Sequence, residues 1–381
     1  MDFEFDAEQR ALAERIRAFA AGRLAPAAAD GDRRERLRPG LFAELAAEGL
    51  FALRVPVAYG GRAASAVGTG IVLEELAAGD LTVCYPVLNA ALVAGVLDAN
   101  ATDAQRARWL PPIARGESII AVCLTEPGHG SDAANIELRA VPAGDGWRLS
   151  GEKTSTMLGE YATHGLVFAR TGQAGAHGVT AFFIALDDSR VERARLRDLG
   201  SRAGGRATLT FDDVPVGRDD VVGAPGCGFV EVMRGFDYSR ALIALMCLGA
   251  ARAAMDEALA HARHRRAFGQ PIGRFQGVSF PLVEHATFLH AARLLAYEAL
   301  WRKDAGLDHR TEANMAKWWA PKAAVDACHQ ALLTLGQLGW GEDRPLARRL
   351  RDVIGTELAD GTANVTKLVV ARQLLGRENA P

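Results

Sequence analysis

Apolar residues near the start of the chain recur at intervals of three and four positions. Leu12, Ile16 and Phe19 follow this spacing, which predicts one apolar face of a helix. A second helical segment is predicted at 41–50, where a glycine precedes the next turn. We therefore predict an all-α N-terminal domain over residues 1–118.

The pattern changes after about residue 119 to short runs rich in Val, Phe, Thr and Leu. From Thr208 to Phe211, polar and apolar residues alternate, as is typical of a strand with one buried face. Glycine-rich turns at 143–146 and 171–178 separate the runs. Short strands without intervening helices predict a small antiparallel barrel or sandwich, which we place at 119–225.

Helical spacing returns at Gly228 and continues almost to the end of the chain. The predicted helices are four long segments at 228–264, 276–304, 312–335 and 363–375. Long helices joined by short loops predict a C-terminal four-helix bundle, here over 226–381. The whole chain is therefore predicted to be an α+β multidomain protein with an all-α N-terminal domain, an antiparallel β-barrel middle domain and this bundle.

Composition narrows the range of functions. The chain has 381 residues, of which 49% are hydrophobic and 24% charged, so it can bury a large core in two or three domains. Lys and Arg together number 44 and Asp and Glu 46, and this balance disfavours nucleic acid and acidic membranes as partners. We found no apolar stretch of about 18 residues that predicts a membrane span.

The cysteines and the N-terminus indicate the cellular compartment in which the protein is expected. The five cysteines form no CxxC pair, and their odd number predicts free thiols in a reducing environment. The first residues are acidic and amphipathic, unlike the basic start and apolar run of a secretion signal. We expect a cytoplasmic protein without a metal site.

One glycine-rich segment carries candidate chemistry. The residues from Leu124 to Asp132 read LTEPGHGSD, and such a loop can offer N–H groups and hydroxyls to phosphates or to a flavin edge. Taken alone, it is equally an ordinary Pro-Gly surface turn. The segment resembles the TEPxxGSD signature of acyl-CoA dehydrogenases, and the resemblance extends over nearly the whole chain. It implies that Leu124, Thr125, Gly130 and Ser131 contact FAD, with Ser131 also near the substrate.

Two further segments resemble elements of this family that reach the FAD of a neighbouring subunit. The run HRRAFGQPI with FQ after it is similar to the RxxFGxxI...FQ element, which implies FAD contacts by Arg265, Phe268 and Gln276. A basic helix end without any ligand is the alternative for this run. The run LGQLGW resembles the LGGxGF/Y loop and implies contacts by Leu333, Gly336 and Gln337, although Gln337 replaces a family glycine.

Two segments bear on the substrate and on the flavin ring. FDYSR resembles the DxxR segment that contacts the CoA arm near the thioester, which implies substrate contacts by Asp237 and Arg240; a surface ion pair is the alternative. KTSTM stands where most of the family has KxWIT, so Ser155 and Met157 occupy the predicted flavin-facing positions. Ser155 cannot stack on a ring, and a Met side chain is at best a weak acceptor.

The segment TELADGTAN near the C-terminus contains the candidate base. In most of the family, the residue before Gly-Thr is a Glu that removes the α-proton, and here it is Asp360. A carboxylate suits a weakly acidic C–H group in a water-poor pocket. The resemblance also places Gly361 at the substrate and Thr362 and Asn364 at the FAD. The alternative is that Asp360 and Thr362 only cap the last helix.

The resemblance therefore implies FAD-dependent α,β-dehydrogenation of an acyl-CoA by a homodimer or homotetramer, with an electron-transfer flavoprotein as electron acceptor. An Asp base is usual in the branch that acts on cyclohexanecarboxyl-CoA type substrates. No second acid lies between Thr82 and Leu97, which favours plain α,β-desaturation. Two alternatives remain open. The first is a biosynthetic or oxygen-using flavoenzyme acting on a carrier-protein thioester, and the second is a relative that binds acyl thioesters without turnover.

Overall fold

The computed structural model describes residues 4–380. The ends of the predicted outer domains, residues 1–3 and 381, lie outside this range. Six α-helices lead the described chain: α1 Ala7–Phe19, α2 Ala25–Arg34, α3 Leu41–Ala47, α4 Ala66–Asp80, α5 Cys84–Asn100 and α6 Asp103–Ala114. Capping boxes at Asp6 and Thr102 begin α1 and α6, because each side chain accepts from a backbone N–H three residues on.

The pair α4 and α5 forms the centre of this helical part. A window within Ala66–Asn100 has a mean hydropathy of 1.6, the apolar character of a membrane span, and 94% of that window is buried inside the protein. The expectation that no such stretch exists is therefore corrected. The apolar residues of these helices face other helices on all sides, and this is why periodicity did not separate α5 from its neighbours.

The middle part is a single mixed sheet. Its strands are β1 Ile120–Cys123, β2 Arg139–Ala143, β3 Gly146–Thr156, β4 His164–Arg170, β5 Val179–Ala185, β6 Val191–Arg195, β7 Ala207–Val216 and β8 Val221–Val222. The order is β6-β7-β3-β2-β4-β5-β8, and β1 also pairs with β4.

Two pairings depart from the antiparallel arrangement that the sequence predicts. Strand β4 runs parallel to β1 over four residue pairs and parallel to β2 at one. The chain makes a long excursion between β1 and β4, and only a long connection permits two strands to pair in parallel. The turn signals in the sequence indicate the hairpins and contain no information on this longer connection.

The C-terminal part contains the four predicted long helices and two shorter helices that were not predicted. The helices are α7 Gly228–His264, α8 Gln276–Asp304, α9 Arg310–Leu335, the short α10 Gln337–Trp340, α11 Leu346–Thr356 and α12 Ala363–Leu375. A two-stranded hairpin, β9 Arg266–Ala267 and β10 Gln270–Pro271, separates α7 from α8. Helix α11 was not predicted, although Leu346, Leu350 and Val353 follow the spacing of a helix with one apolar face. Inside the protein, its Arg348 and Asp352 pair with each other.

Two apolar cores hold these parts together. One core lies within the sheet and includes Phe182, Leu209 and Phe211. The other is shared by the N-terminal and C-terminal helices. The loop at 357–362 connects α11 to α12 and contacts both α7 and α9. The candidate base, Asp360, lies in this loop.

Candidate active site

The turn at Asp360 has an unusual backbone. Asp360 has φ +52° and Gly361 has φ +106°, so two successive residues adopt left-handed values. Asp tolerates this region better than most residues, and glycine enters it freely. Strained turns of this kind persist where the surroundings hold them in place. The contacts of this turn are therefore informative.

Helix α7 holds Asp360 through two neighbouring residues. The Ser239 Oγ donates to Asp360 Oδ2 at 2.5 Å, and the Arg240 Nε donates to the Asp360 carbonyl at 3.0 Å. Ser239 is fully buried, whereas Asp360 is half-buried. One oxygen of the Asp360 carboxylate is thus held by Ser239, and the side chain does not extend freely into solvent. Sequence reasoning missed Ser239, although it lies within the segment that resembles DxxR.

The predicted pair of Asp237 and Arg240 is formed inside the protein. The Arg240 guanidinium donates to Asp237 Oδ1 at 3.0 Å, and both side chains are less than 10% exposed, so the alternative of a surface ion pair is wrong. Arg310 donates to Oδ2 at 3.0 Å and Asn314 to Oδ1 at 3.2 Å. Both Asp237 oxygens are engaged within the chain, which makes Asp237 an anchor for Arg240. Contact of Asp237 with substrate stays a prediction.

A lysine of α9 holds the next residue of the turn. The Lys317 Nζ donates to the Gly361 carbonyl at 3.0 Å, and Lys317 is 1% exposed. Burial lowers the pKa of Lys317 to about 8, and the charge of Asp360 opposes this shift. Lys317 was also missed, but a signal existed. It follows Ala313 by four residues and precedes Ala320 by three, which is the spacing of a buried helix face.

The start of α12 follows directly. The Thr362 side chain accepts from the Val365 N–H at 3.5 Å and caps the helix, as the alternative reading of this segment expected. Asn364 is exposed on the first turn. The remaining N–H groups of a first turn attract phosphates and other polar ligand groups. Capping by Thr362 is therefore compatible with a nearby ligand.

The loop with Leu124 and Thr125 is fastened by a buried ion pair. The Lys153 Nζ contacts Glu126 Oε1 at 2.7 Å and donates to the Leu124 carbonyl at 2.9 Å. Glu126 also accepts from the N–H groups of Glu137 and Leu138 at 2.5 and 2.8 Å. Burial lowers the pKa of Lys153 to about 8. This clamp was not predicted, although both residues belong to the segments that carry the resemblance.

The outer half of the same loop borders open space. A Cβ placed on Gly128 or Gly130 would meet no atom within 4 Å, and Ser131 is exposed. The Thr125 carbonyl accepts from the Thr154 N–H at 2.8 Å, which fixes the inner half against β3. The loop thus has a rigid base and an outer part that leaves room for a bound group.

Ser155 and Met157 differ in their surroundings. Ser155 has φ +55°, and its Oγ accepts from Arg206 at 2.8 Å. Met157 is partly buried beside Gly204, where an added Cβ would lie 2.7 Å from the Met157 sulfur and 3.6 Å from Thr82. Met157 therefore packs toward the N-terminal helices. Flavin contact by these two residues stays a prediction.

The residues predicted to reach a neighbouring subunit lie on the surface. Arg265, Phe268 and Gln276 are exposed around the β9–β10 hairpin, and Phe268 is 95% exposed. The second group, Leu333, Gly336 and Gln337, is exposed around the end of α9. In residues 4–380, no hydrogen bond or ion pair joins either group to Asp360. Their exposure is compatible with the predicted contacts of both groups with the FAD of a neighbouring subunit.

The three parts of the chain meet close to the base. Tyr85 of α5 is buried, burial raises the pKa of its hydroxyl, and the charges of Asp352 and Asp360 raise it further. The N–H of Ser201, in the connection between β6 and β7, donates to Asp352 Oδ1 of α11 at 2.6 Å. Tyr85 was not predicted, because it is not a carboxylate and only a second acid was expected between Thr82 and Leu97.

The residues of the glycine-rich loop and of the start of α12 fit a flavin dinucleotide. The glycine-rich loop offers exposed hydroxyls and open space, and the start of α12 offers a capped helix N-terminus. Asp360 provides a carboxylate two residues before Thr362, the N-cap of α12. Such a set can bind a phosphate-containing group and accept a proton from a ligand.

The family of the chain follows from comparison with known proteins. Models of the acyl-CoA dehydrogenase N-terminal, middle and C-terminal domains match residues 6–117, 121–214 and 226–375. The mitochondrial short-chain specific acyl-CoA dehydrogenase of Bos taurus is 35% identical over 367 residues, which cover 96% of this chain and 89% of that protein.

Two solved structures are similar over nearly the whole chain. Butyryl-CoA dehydrogenase from Megasphaera elsdenii has a TM-score of 0.95 and 30% identity, and the match covers 98% of this chain and 100% of that one. A prolyl acyl carrier protein oxidase has a TM-score of 0.93 and 25% identity, with coverage of 97% and 100%.

Proposed function

The chain belongs to the acyl-CoA dehydrogenase family, and from this premise we propose that it dehydrogenates an acyl-CoA between Cα and Cβ, with Asp360 as the base. The observation that carries the proposal is the Asp360 turn. Its half-buried carboxylate is held by Ser239, and its two successive carbonyls are tied to Arg240 and Lys317. A capping residue alone has no need of three buried partners.

FAD is the cofactor of this family, and when bound it accepts the β-hydrogen as a hydride. In the proposal, the residues of this chain's own site that would hold it are Leu124, Thr125, Gly130, Ser131, Ser155, Met157, Thr362 and Asn364. The partner subunit would contribute its own copies of Arg265, Phe268, Gln276, Leu333, Gly336 and Gln337. Exposure of Phe268 and Leu333, at 95% and 55%, supports a partner on that face.

The chain's own residues account for the proton transfer. Asp360 Oδ2 already accepts from Ser239, so Oδ1 is the oxygen that would take the α-proton. The Asp360 N–H would donate to the thioester oxygen as negative charge develops there. Because Asp is one methylene shorter than Glu, the α-carbon must come closer to the backbone of the turn. Ser131, Asp237, Arg240 and Gly361 are the proposed substrate contacts.

We further propose a compact acyl group, with an alicyclic cyclohexanecarboxyl-like group as the preferred candidate. The Asp base motivates this choice, because an Asp base is usual in the branch of the family that acts on such substrates. Short-chain specific and butyryl-CoA dehydrogenases among the relatives support a small acyl group. A panel of cyclohexyl, branched and straight acyl-CoAs, scored by flavin bleaching, would rank these groups.

The remaining parts of the proposal concern the domains, the oligomeric state, the electron acceptor and the cellular location of the enzyme. The proposed domains are 1–118, 119–225 and 226–381, in a homodimer or homotetramer. An electron-transfer flavoprotein would reoxidise the enzyme. A cytoplasmic location is supported by the cysteines, all five of which are free thiols. Reduction of added electron-transfer flavoprotein and sedimentation of the purified protein would test the partner and the oligomeric state.

Substitution of the base tests the central proposal. Asp360→Asn should retain bound flavin and lose anaerobic bleaching by substrate by at least about 100-fold, since general base catalysis contributes about 10²–10⁴. Asp145→Asn, at an exposed turn between β2 and β3, is the matched control and should bleach normally. A normal bleaching rate in Asp360→Asn would refute the assignment.

A second candidate is oxidation of a carrier-protein thioester with oxygen as acceptor. Ser155 in place of a ring-stacking aromatic residue motivates it, and so does the similarity to a prolyl acyl carrier protein oxidase. Peroxide release during turnover in air, together with a preference for the carrier-bound substrate over its CoA form, would favour this candidate. Slow flavin reoxidation in air would favour the dehydrogenase.

A further inference from the structure

Lys317 is a buried cation without an ion-pair partner. Among the residues that the structure describes, lysine ion pairs within 4.0 Å are Lys153 with Glu126 and Lys322 with Asp326. Lys317 is 1% exposed, and its hydrogen bond goes to the neutral carbonyl of Gly361. Burial of an ammonium group without a counter-ion has a high cost in free energy, so we expect the group to have a function that offsets this cost.

The groups around Lys317 point to Asp360. Asp360 contributes the largest favourable charge and Glu357 of the α11–α12 loop a smaller one, whereas Arg240 opposes them. Asp237 accepts from both Arg240 and Arg310 at 3.0 Å, so one carboxylate already serves two guanidinium groups. Lys317, which has no carboxylate within 4.0 Å among the described residues, adds a further positive charge beside the turn.

We propose that Lys317 is a positioning residue and counter-charge for Asp360: it holds the Asp360–Gly361 turn through the Gly361 carbonyl and favours the ionised carboxylate. The inference rests on the proposed function of Asp360 as base. It adds a role for a residue of α9 that touches neither acyl group nor cofactor in this assignment.

The physical need for such a charge follows from burial. A carboxyl group in a water-poor pocket tends to keep its proton, and a protonated Asp360 could not take another. Ser239 donates to Oδ2 and holds the carboxylate in place, and the Lys317 ammonium brings positive charge to the same turn. When the α-proton moves to Asp360, negative charge passes to the bound thioester, and the same ammonium continues to stabilise the negative charge.

The pH dependence of the reaction should report this charge. Loss of a nearby opposite charge disfavours the ionised form of a carboxyl, so loss of the ammonium should move the acid limb of kcat/KM to higher pH. The groups that face Asp360 are Tyr85 from α5, Ser239 and Arg240 from α7, and Lys317 from α9. Lys317 is the one of these that the test alters.

Two variants separate charge from support of the turn. Lys317→Gln keeps a hydrogen-bond donor and removes the charge, whereas Lys317→Met removes both. Lys317→Gln should shift the acid limb upward, with kcat restored above the shifted limb. Lys317→Met should show the same shift and a lower kcat at every pH. Lys322→Met, which removes an exposed charge from the same helix, is the control and should keep the wild-type profile.

A spectroscopic measurement makes the test independent of turnover. The protonation of Asp360 is followed by infrared difference spectra of flavin-loaded protein against pH, with Asp360→Asn identifying the band. An acid limb and an infrared midpoint that both remain at the wild-type pH in Lys317→Gln would overturn the proposal. If Asp360→Asn still bleaches normally, the proposed base fails instead, and the infrared midpoint continues to test Lys317.

Discussion

Glu126→Gln is expected to destabilise the protein far more than an ordinary surface substitution. Glu126 is 5% exposed, and its carboxylate contacts Lys153 at 2.7 Å and accepts from the N–H groups of Glu137 and Leu138. Gln preserves the shape and one acceptor oxygen. It leaves the fully buried Lys153 ammonium without a counter-charge.

The magnitude follows from two independent arguments. Removal of one member of a buried ion pair costs about 3–5 kcal/mol, because the other charge stays buried. Lys153 can instead lose its proton. From an ordinary pKa of 10.5, that loss costs about 4.8 kcal/mol at pH 7, since each pH unit is worth about 1.36 kcal/mol. We therefore expect a loss of about 3–5 kcal/mol, or roughly 6–10 °C in Tm at about 2 °C per kcal/mol.

The loss should depend on pH. Burial lowers the pKa of Lys153 to about 8 in the wild type, and without Glu126 this pKa falls further. Between the lower value and about pH 8, the folded variant binds fewer protons than the folded wild type. The free energy of unfolding of the variant therefore rises with pH relative to the wild type. The difference should shrink toward about pH 8, by at most about 1.4 kcal/mol per pH unit, and stay constant above it.

Thermal unfolding followed by circular dichroism from pH 6 to pH 9 measures both effects. Glu117→Gln removes an exposed carboxylate that pairs with Arg115, and as the control it should leave Tm unchanged. The double variant Glu126→Gln with Lys153→Met should be more stable than Glu126→Gln alone, since no charge stays buried. A loss that does not vary with pH, or a double variant no more stable than the single one, would refute the ion-pair reasoning.

Two further predictions concern the turn and the outer surface. Gly361→Ala should lower the stability by at least about 1 kcal/mol and slow flavin bleaching, because φ is +106° while an added Cβ would meet only ordinary contacts at 3.6 Å; an unchanged bleaching rate and Tm would show that the turn is not constrained. Phe268→Ser should leave the Tm of flavin-free protein unchanged, since Phe268 is 95% exposed, and should weaken FAD binding at least tenfold in a fluorescence titration; equal affinity would exclude the proposed contact across subunits.

Much of the fold was predictable from local patterns. The segments predicted at 276–304 and 363–375 coincide with α8 and α12, because their ends carry ordinary stop signals and their loops are short. Helix α11 was predictable from Leu346, Leu350 and Val353 at helical spacing and was missed, whereas the burial of its pair of opposite charges was not predictable in this way. Nor was the parallel pairing of β4, which depends on a long connection.

The candidate site also contains some residues that the sequence indicated and others that only the tertiary structure brought together. The segments that resemble the family contain Asp360, Arg240 and the glycine-rich loop, and the resemblance indicated Asp360 as the base. Ser239 was visible only as a neighbour of Arg240, and its bond to Asp360 joins residues 121 positions apart. Lys317 lies 44 positions from Gly361, and Lys153 lies 27 from Glu126.

Sequence by itself therefore determined the kinds of elements, their order and the chemical groups available, because these depend on periods and residue types within short windows. Tertiary structure alone decided which charges are matched and which are not. Whether Lys317 or Asp237 has a partner depends on distances between helices far apart along the chain, and a buried charge becomes costly or useful only once those distances are set.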